Sequence, residues 1–320
     1  MENLFNHQAK SSICVVKGNG PVETFIRAHV VGLPANVTLI HDFPPKIGDQ
    51  PILSQSLVSR AQRKAGRQLL RREWSWEITS AYIKAFRASR ADAVLAEFGQ
   101  TGVVALEACR RTNLPLIVHF HGADISKKAV LEMFGDAYRV LLQEARAIVA
   151  VSRKMEEKLL SLGAPPEKLH YNPYGVDCDA FSGGGERLTT EPPVFLAVGR
   201  FVDKKAPQLT LLAFAEVYRA HPEARLRMIG DGPLLDACRD LAEGLGLAPA
   251  VSFLGVQPHA AIQEEMRGAR AFVQHSVEAL SGDCEGTPVA IPRRAPADCL
   301  LSPRATRASL MSSRMDKPGC

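Results

Sequence analysis

The chain has 320 residues, 46% of them hydrophobic, and a formal net charge of +5, which is roughly two domains' worth of core-forming polypeptide. No apolar run is long enough to span a bilayer, and Met1 to Lys10 has neither the basic start nor the apolar stretch of a secretion signal, so a cytoplasmic protein is expected. The seven cysteines form no Cys-x-x-Cys pair and no His/Cys cluster at zinc spacing. That argues against a disulfide framework or a structural metal and leaves them as buried thiols.

The first predicted strand is Ile13 to Val16, followed by Lys17-Gly18-Asn19-Gly20-Pro21-Val22-Glu23 and an amphipathic helix. Gly18 and Gly20 would let backbone amides approach a phosphate or sugar at the helix start. A nicotinamide-binding fingerprint is disfavoured, because Glu23 stands where its third glycine belongs and no acidic residue ends a clear second strand at the usual distance. Leu57 to Ala91 carries nine lysines and arginines against Glu73 and Glu77, with Trp74 and Trp76 beside the densest part. Two readings stand side by side: a solvated helix face, or an interfacial helix drawn to anionic lipid and anchored by its aromatic residues. Nucleic-acid binding is a weaker candidate, for the chain offers none of the usual recognition modules.

Leu116 to Phe120 reads as a strand with His121-Gly122-Ala123-Asp124 at its carboxyl end. A lone histidine there is commonly structural, but its place after a strand together with the glycine and aspartate favours function for His121; His119 is read as structural. Phe181 to Pro193 is Gly- and Pro-rich and forms the domain boundary. Beyond it the strand from Val194 ends in Gly199-Arg200, with Lys205 five positions later. This puts two cations at the carboxyl end of a strand, where open α/β sheets bind ligands and where a diphosphate could be stabilised as it leaves. Capping a helix or lying solvated is the plain alternative for an isolated pair.

Three more strands are predicted: Ala224 to Ile229, running into Gly230-Asp231-Gly232-Pro233; Val251 to Gly255; and Ala271 to His275, leading to Gly282-Asp283-Cys284-Glu285-Gly286-Thr287-Pro288. Helices over Ala206 to Arg219, Leu234 to Gly244 and His259 to Arg267 separate them, and this alternation implies a parallel sheet.

Taken in order, these motifs resemble the carboxyl-terminal donor domain of the retaining glycosyltransferases of family four. Ala150-Val-Ser-Arg-Lys-Met155, with Gly163, Lys168 and Tyr174-Gly-Val-Asp177, resembles the segment between that family's domains. Within the family the chain is most similar to bacterial exopolysaccharide transferases of the colanic-acid type. The resemblance implies an α/β GT-B fold, two Rossmann-like domains facing a cleft, the second incomplete: residues 1–181 on the acceptor side, a linker at 182–193, and a donor domain at 194–291. It implies transfer of a sugar from a nucleotide-diphosphate donor to a glycan or lipid-linked acceptor, with anomeric retention and without a metal or other cofactor. Arg200 and Lys205 would stabilise the diphosphate, Glu285 with Gly286 and Thr287 would contact the donor, and Gly199, Gly230, Asp231 and Gly232 would shape the nucleotide pocket. His121, Gly18 and Gly20 would close the cleft from the other domain, and the enzyme would work in the cytoplasm, peripheral on the inner face of the plasma membrane if the basic run is an interfacial helix.

The resemblance breaks after Ile291. Where the family has a second glutamate for the nucleotide ribose, this chain has Arg293, and residues 292–320 show no periodicity and a net charge of about +4. Reading the codons displaced by one base allows a continuation like the family's, so a frameshift near Ile291 and a disordered out-of-frame tail are expected, the alternative being a natural divergent tail. The rivals to an impaired transferase are a non-enzymatic remnant of one and, less favoured, another GT-B enzyme such as a nucleotide-sugar epimerase.

Overall fold

A computed structural model of the chain describes residues 10–53, 74–175 and 192–285. The expectations for Gly286, Thr287, Arg293, the tail and most of the basic run lie outside these residues. Contacts divide the chain into two units, Met1–Pro173 and Tyr174–Cys320.

The first unit is built on an eight-stranded sheet in the order β4-β3-β2-β1-β5-β6-β7-β8. Its strands are β1 Ser12–Val16, β2 Asn36–His41, β3 Lys46–Ile47, β4 Gln50–Pro51, β5 Ala93–Glu97, β6 Leu116–Phe120, β7 Ala147–Ala150 and β8 Leu169–Tyr171. All pairs are parallel except the small β2-β3-β4 meander at the edge. The helices are α1 Thr24–Gly32, α2 Trp74–Ala88, α3 Gly99–Thr112, α4 Ala123–Ser126, α5 Lys128–Glu144 and α6 Arg153–Ser161. The central strands read as continuous apolar runs because their residues are covered on both faces: Cys14, Val15, Val16, Val94, Ala96, Val118, Phe120 and Ile148 are all buried. α2 buries Ile78, Tyr82 and Phe86 and leaves Lys84 and Arg87 exposed, as is Arg90 in the turn after it, while Trp76 is 40% exposed. α6 begins where Ser152 accepts a hydrogen bond from the Met155 amide, an N-cap of the ordinary kind.

The second unit has a four-stranded, all-parallel sheet in the order β11-β10-β9-β12, from β9 Val194–Val198, β10 Arg225–Ile229, β11 Val251–Gly255 and β12 Ala271–Phe272. Helices α7 Pro207–Ala220, α8 Leu235–Gly244 and α9 His259–Gly268 alternate with the strands. Phe201, Leu211, Phe214, Leu226, Met228 and Cys238 form one core cluster, and Leu196, Ile229 and Met266 a second. The helices start and stop within one residue of expectation, since Pro207 sits at the first turn of α7 and apolar periodicity marks the rest.

Two expectations need correction. The run Ala271 to His275 is a strand only at Ala271–Phe272: among the described residues β12 pairs with β9 alone, and the chain leaves the ladder after the Val273 N–H meets the Leu196 carbonyl at 2.7 Å. The cysteines are not uniformly buried: Cys14, Cys109 and Cys238 are, but Cys284 lies on a half-buried loop.

Candidate functional site

The carboxyl ends of β9 and β10 carry the glycines that sequence reasoning singled out, and their reason is backbone proximity. A Cβ on Gly230 would lie 1.9 Å from the Gly199 carbonyl oxygen, and one on Gly232 would lie 2.5 Å from the Phe201 carbonyl oxygen. Both residues also have positive φ, 135° and 150°, so no other residue suits either place. The two loops are laced by Gly199 N–H to the Ile229 carbonyl and Phe201 N–H to the Asp231 carbonyl, each at 2.9 Å. The Asp231 carboxylate is spent on the Gly232 amide, at 2.7 Å.

A small cavity opens beside this joint, bordered by Gly199, Arg200, Lys205, Thr210, Gln274 and His275. Arg200 is exposed at its mouth. Lys205 ends a short 3-10 turn, Asp203–Lys205, and its ammonium lies 3.1 Å from the Glu285 carboxylate. Lys204 next to it makes a parallel pair with Asp283, also at 3.1 Å. These pairs, with Val277 N–H donating to the Lys204 carbonyl at 2.9 Å, tie the loop through Glu285 to the turn after β9. Thus the structure brings Arg200, Lys205 and Glu285 to one place, with the second cation already neutralised.

Sequence reasoning missed the polar residues that follow β12. Both side-chain heteroatoms of Gln274, Nε2 of His275 and Oγ of Ser276 are shielded from solvent yet meet no hydrogen-bonding partner among the described residues. Burial holds His275 below the usual histidine range, opposed by the Ala206 carbonyl. Unsatisfied polar atoms beside a cavity are a reception surface for a polar ligand.

In the first unit the predicted residues fall into two places. Lys17, 1% exposed, turns its ammonium onto the Gly20 and Pro21 carbonyls at 2.8 and 3.0 Å. It thereby fastens the Gly18–Gly20 loop, and a Cβ on Gly18 would come within 3.2 Å of the Phe43 ring. His121 lies at the end of β6, where Asp124 accepts its backbone N–H at 3.0 Å and that of Gly99 at 3.0 Å. Asp124 is therefore a fastening between β6 and the start of α3; burial pushes its carboxyl above the ordinary range, against His121 and these donors.

Beside His121 lies a group that no motif announced. Glu97, 0% exposed at the end of β5, meets His29 Nδ1 at 2.7 Å and His121 Nε2 at 2.6 Å, with His119 Nδ1 at 3.6 Å. Burial alone would raise its pKa; the hydrogen bonds from His121 and His29 overturn that and hold it at about 2. His119 is pushed down to about 3 by burial and by His121. The rings of Phe25 and Phe98 flank His121 at 4.4 and 4.6 Å. Among the described residues, His29, Glu97 and His119 are the one group whose side chains could hold a metal ion. No helix among the described residues is long and apolar enough to cross a membrane.

Known proteins account for most of this layout. Residues 26–175 match the family described as glycosyl transferase 4-like domain, and residues 185–291 match glycosyl transferases group 1. The putative colanic acid biosynthesis glycosyltransferase WcaL of Salmonella typhimurium is 29% identical over 203 residues, 63% of this chain and 50% of that protein. The amylovoran biosynthesis glycosyltransferase AmsK of Erwinia amylovora is 28% identical over the same shares. The chain spans about half the length of these curated relatives. Among solved structures, Anabaena HepE in complex with UDP and glucose superposes with a TM-score of 0.59 at 15% identity, covering 82% of this chain and 74% of that one. Sucrose-phosphate synthase of Thermosynechococcus elongatus gives 0.62 at 16% identity, covering 89% and 79%. At such identities the likeness is one of fold. Two consecutive family matches on two Rossmann-like units leave one assignment: the chain belongs to the glycosyltransferases of the GT-B fold, with a family-four-like first domain and a group 1 second domain.

Proposed function

We propose that the chain serves exopolysaccharide assembly, moving a sugar from a nucleotide-diphosphate donor to a glycan or lipid-linked acceptor with retention at the anomeric carbon. The observation that carries this is the convergence of Arg200, Lys205 and Glu285 beside glycine-laced strand ends, at a cavity bordered by the unsatisfied Gln274 and His275. Arg200 and Lys205 would take the charge that grows on the departing diphosphate, so the step itself needs no divalent ion. Glu285 and the polar atoms after β12 would receive hydroxyls of the donor, and His121 would face the transferred sugar. The names of WcaL and AmsK, and the UDP and glucose bound to HepE, support the donor class and the pathway.

The same reading includes impairment. The group 1 match ends at residue 291, where the family's text also breaks, and Arg293 cannot accept a ribose hydroxyl's hydrogen as a glutamate would. A cytoplasmic site of action, with the exposed Lys84 and Arg87 of α2, Arg90 after it and the basic run before it attracted to anionic lipid, belongs to this reading as well. A non-enzymatic remnant is the second reading.

The test is to incubate the purified chain with UDP- and GDP-hexoses with and without EDTA, beside a version in which the reading frame after Ile291 is displaced by one base. Metal-independent sugar release by the displaced-frame version, at least about tenfold faster than by the present chain, is expected from the missing charged acceptor. No turnover by either version leaves the remnant.

A further inference from the structure

The segment after β12 carries an imidazole whose two nitrogens are placed differently. The His275 ring donates a hydrogen bond to the Ala206 carbonyl, while its Nε2 is shielded from solvent and meets no hydrogen-bonding partner among the described residues. The donor is therefore Nδ1, because a carbonyl only accepts. An ordinary imidazole is already mostly neutral at pH 8, and burial and the Arg200 cation at the same cavity both oppose a second proton. The neutral ring is thus the Nδ1–H tautomer, and Nε2 carries a lone pair.

His275 borders the cavity at the end of β9, together with Gly199, Arg200, Lys205 and Gln274. The cavity holds about 30 Å³, the share of one water or hydroxyl and too little for a sugar ring. Gln274 also leaves both side-chain heteroatoms without a partner, but an amide carries donor and acceptor alike and can meet a polar substituent either way. His275 Nε2 can only accept. A buried acceptor left unmatched is costly, and the ionised diphosphate that Arg200 and Lys205 would take has no hydrogen to offer it. The hydroxyls of a nucleotide sugar, on hexose and ribose, do.

We propose that His275 is a specificity-determining residue of the donor site: anchored through Nδ1–H on the Ala206 carbonyl, it accepts at Nε2 the hydrogen of one hydroxyl of the nucleotide sugar, so that the site selects a hydroxyl over hydrogen or fluorine at that position. The proposal rests on the reading of the donor site given under Proposed function. It adds a residue that tells one donor from another. Because Ala206 follows Lys205 in the chain, the same turn that carries the diphosphate's cation also aims this acceptor.

The experiment is calorimetry at pH 8 on the full chain with UDP-glucose and GDP-mannose, then with analogues of whichever binds in which each hexose or ribose hydroxyl is replaced, one at a time, by hydrogen or fluorine. At the contacted position both replacements should weaken binding about tenfold or more, and whether that position lies on the hexose or the ribose identifies the source of the hydroxyl. His275→Phe keeps a flat ring without an acceptor; it should bind the parent donor about tenfold more weakly, and the two replacements at that position should then cost less than about threefold. Nitrogen-15 NMR of His275 in the unmodified protein decides the matter if His275→Phe fails to fold. Nδ1 should be protonated and Nε2 bare with and without donor, and the Nε2 resonance should move on adding the parent donor but not the analogue lacking the contacted hydroxyl. A protonated Nε2 in either state, or a His275→Phe protein that sorts the analogues as the unmodified one does, overturns the proposal and leaves the cavity to an ordered water. If neither nucleotide sugar binds, the donor reading fails and takes the proposal with it; if one binds and no position is sensitive to His275, the proposal alone fails.

Discussion

The two units use charge in opposite ways. At the end of β9 the charges are plural and near the surface: Arg200 is exposed, and Lys204 and Lys205 are each matched to a carboxylate at 3.1 Å. At the end of β5 there is one carboxylate, fully buried, surrounded by three imidazoles. The paired ions of the first keep 12 to 20% of their side-chain surface exposed, whereas the carboxylate of the second keeps none. Equivalent positions in two Rossmann-like sheets, the carboxyl ends of parallel strands, thus carry partly exposed ion pairs in one unit and a buried carboxylate among imidazoles in the other.

The comparison is broken most severely at the joint that supports the charged half. Gly230→Ala forces a Cβ into the Gly199 carbonyl at a φ of 135°, and a cost of at least about 3 kcal/mol is expected. Chemical unfolding of the full chain should show the transition assigned to the second unit weakened or lost, while near-native unfolding in the variant would mean that the loops can part.

The buried half should reveal itself in acid. Glu97 has a folded pKa near 2 against an ordinary 4.5, so its contribution is present above about pH 4.5 and is lost as pH falls towards 2. His119, held near 3 instead of 6.5, acts in the same direction, for the unfolded chain binds that proton first. Stability should therefore decline gently from pH 6.5 and more steeply below 4.5, with Glu97 contributing on the order of 3 kcal/mol. Urea midpoints between pH 7.5 and 3.5 check this, and Glu97→Gln should flatten the steep limb.

On the donor side, Arg200→Ala should lower the rate of sugar release about a hundredfold with little change in melting temperature, because the side chain is exposed and its work is in the transition state. Equal losses of rate and stability would make Arg200 a structural residue. The mildest effect is expected from Lys204→Met, which cuts one of the two loop ties and should cost about 1 kcal/mol in thermal stability. A larger loss would show that the loop through Glu285 depends on that single pair.

Much of the fold was legible because its elements carry local signals. Apolar runs marked β6 and β11 to the residue, and Pro207 and the glycines marked where α7 and the β10 turn begin. Arg200 and Lys205 were legible for the same reason, since a strand end is visible in the text and cations after it stand out. Glu97 ends a strand too, Ala93–Glu97, and the same rule applied there would have drawn notice to it. Its meaning was hidden because its partners lie 68 and 24 residues away and are brought near only by the parallel order β1-β5-β6 and the helix after β1. Gln274 and His275 were concealed differently: a pattern that reads as strand through His275 is strand only at Ala271–Phe272, so both fall on the segment after it.

The twin ties between the turn after β9 and the loop through Glu285 make the resting second unit its own counter-ion. Lys204 and Lys205 are adjacent, and like charges so near would repel without their carboxylates. If Lys205 takes the donor's phosphate as proposed, that phosphate would compete with Glu285 for the same ammonium, so anion binding and the tie to this loop would be coupled.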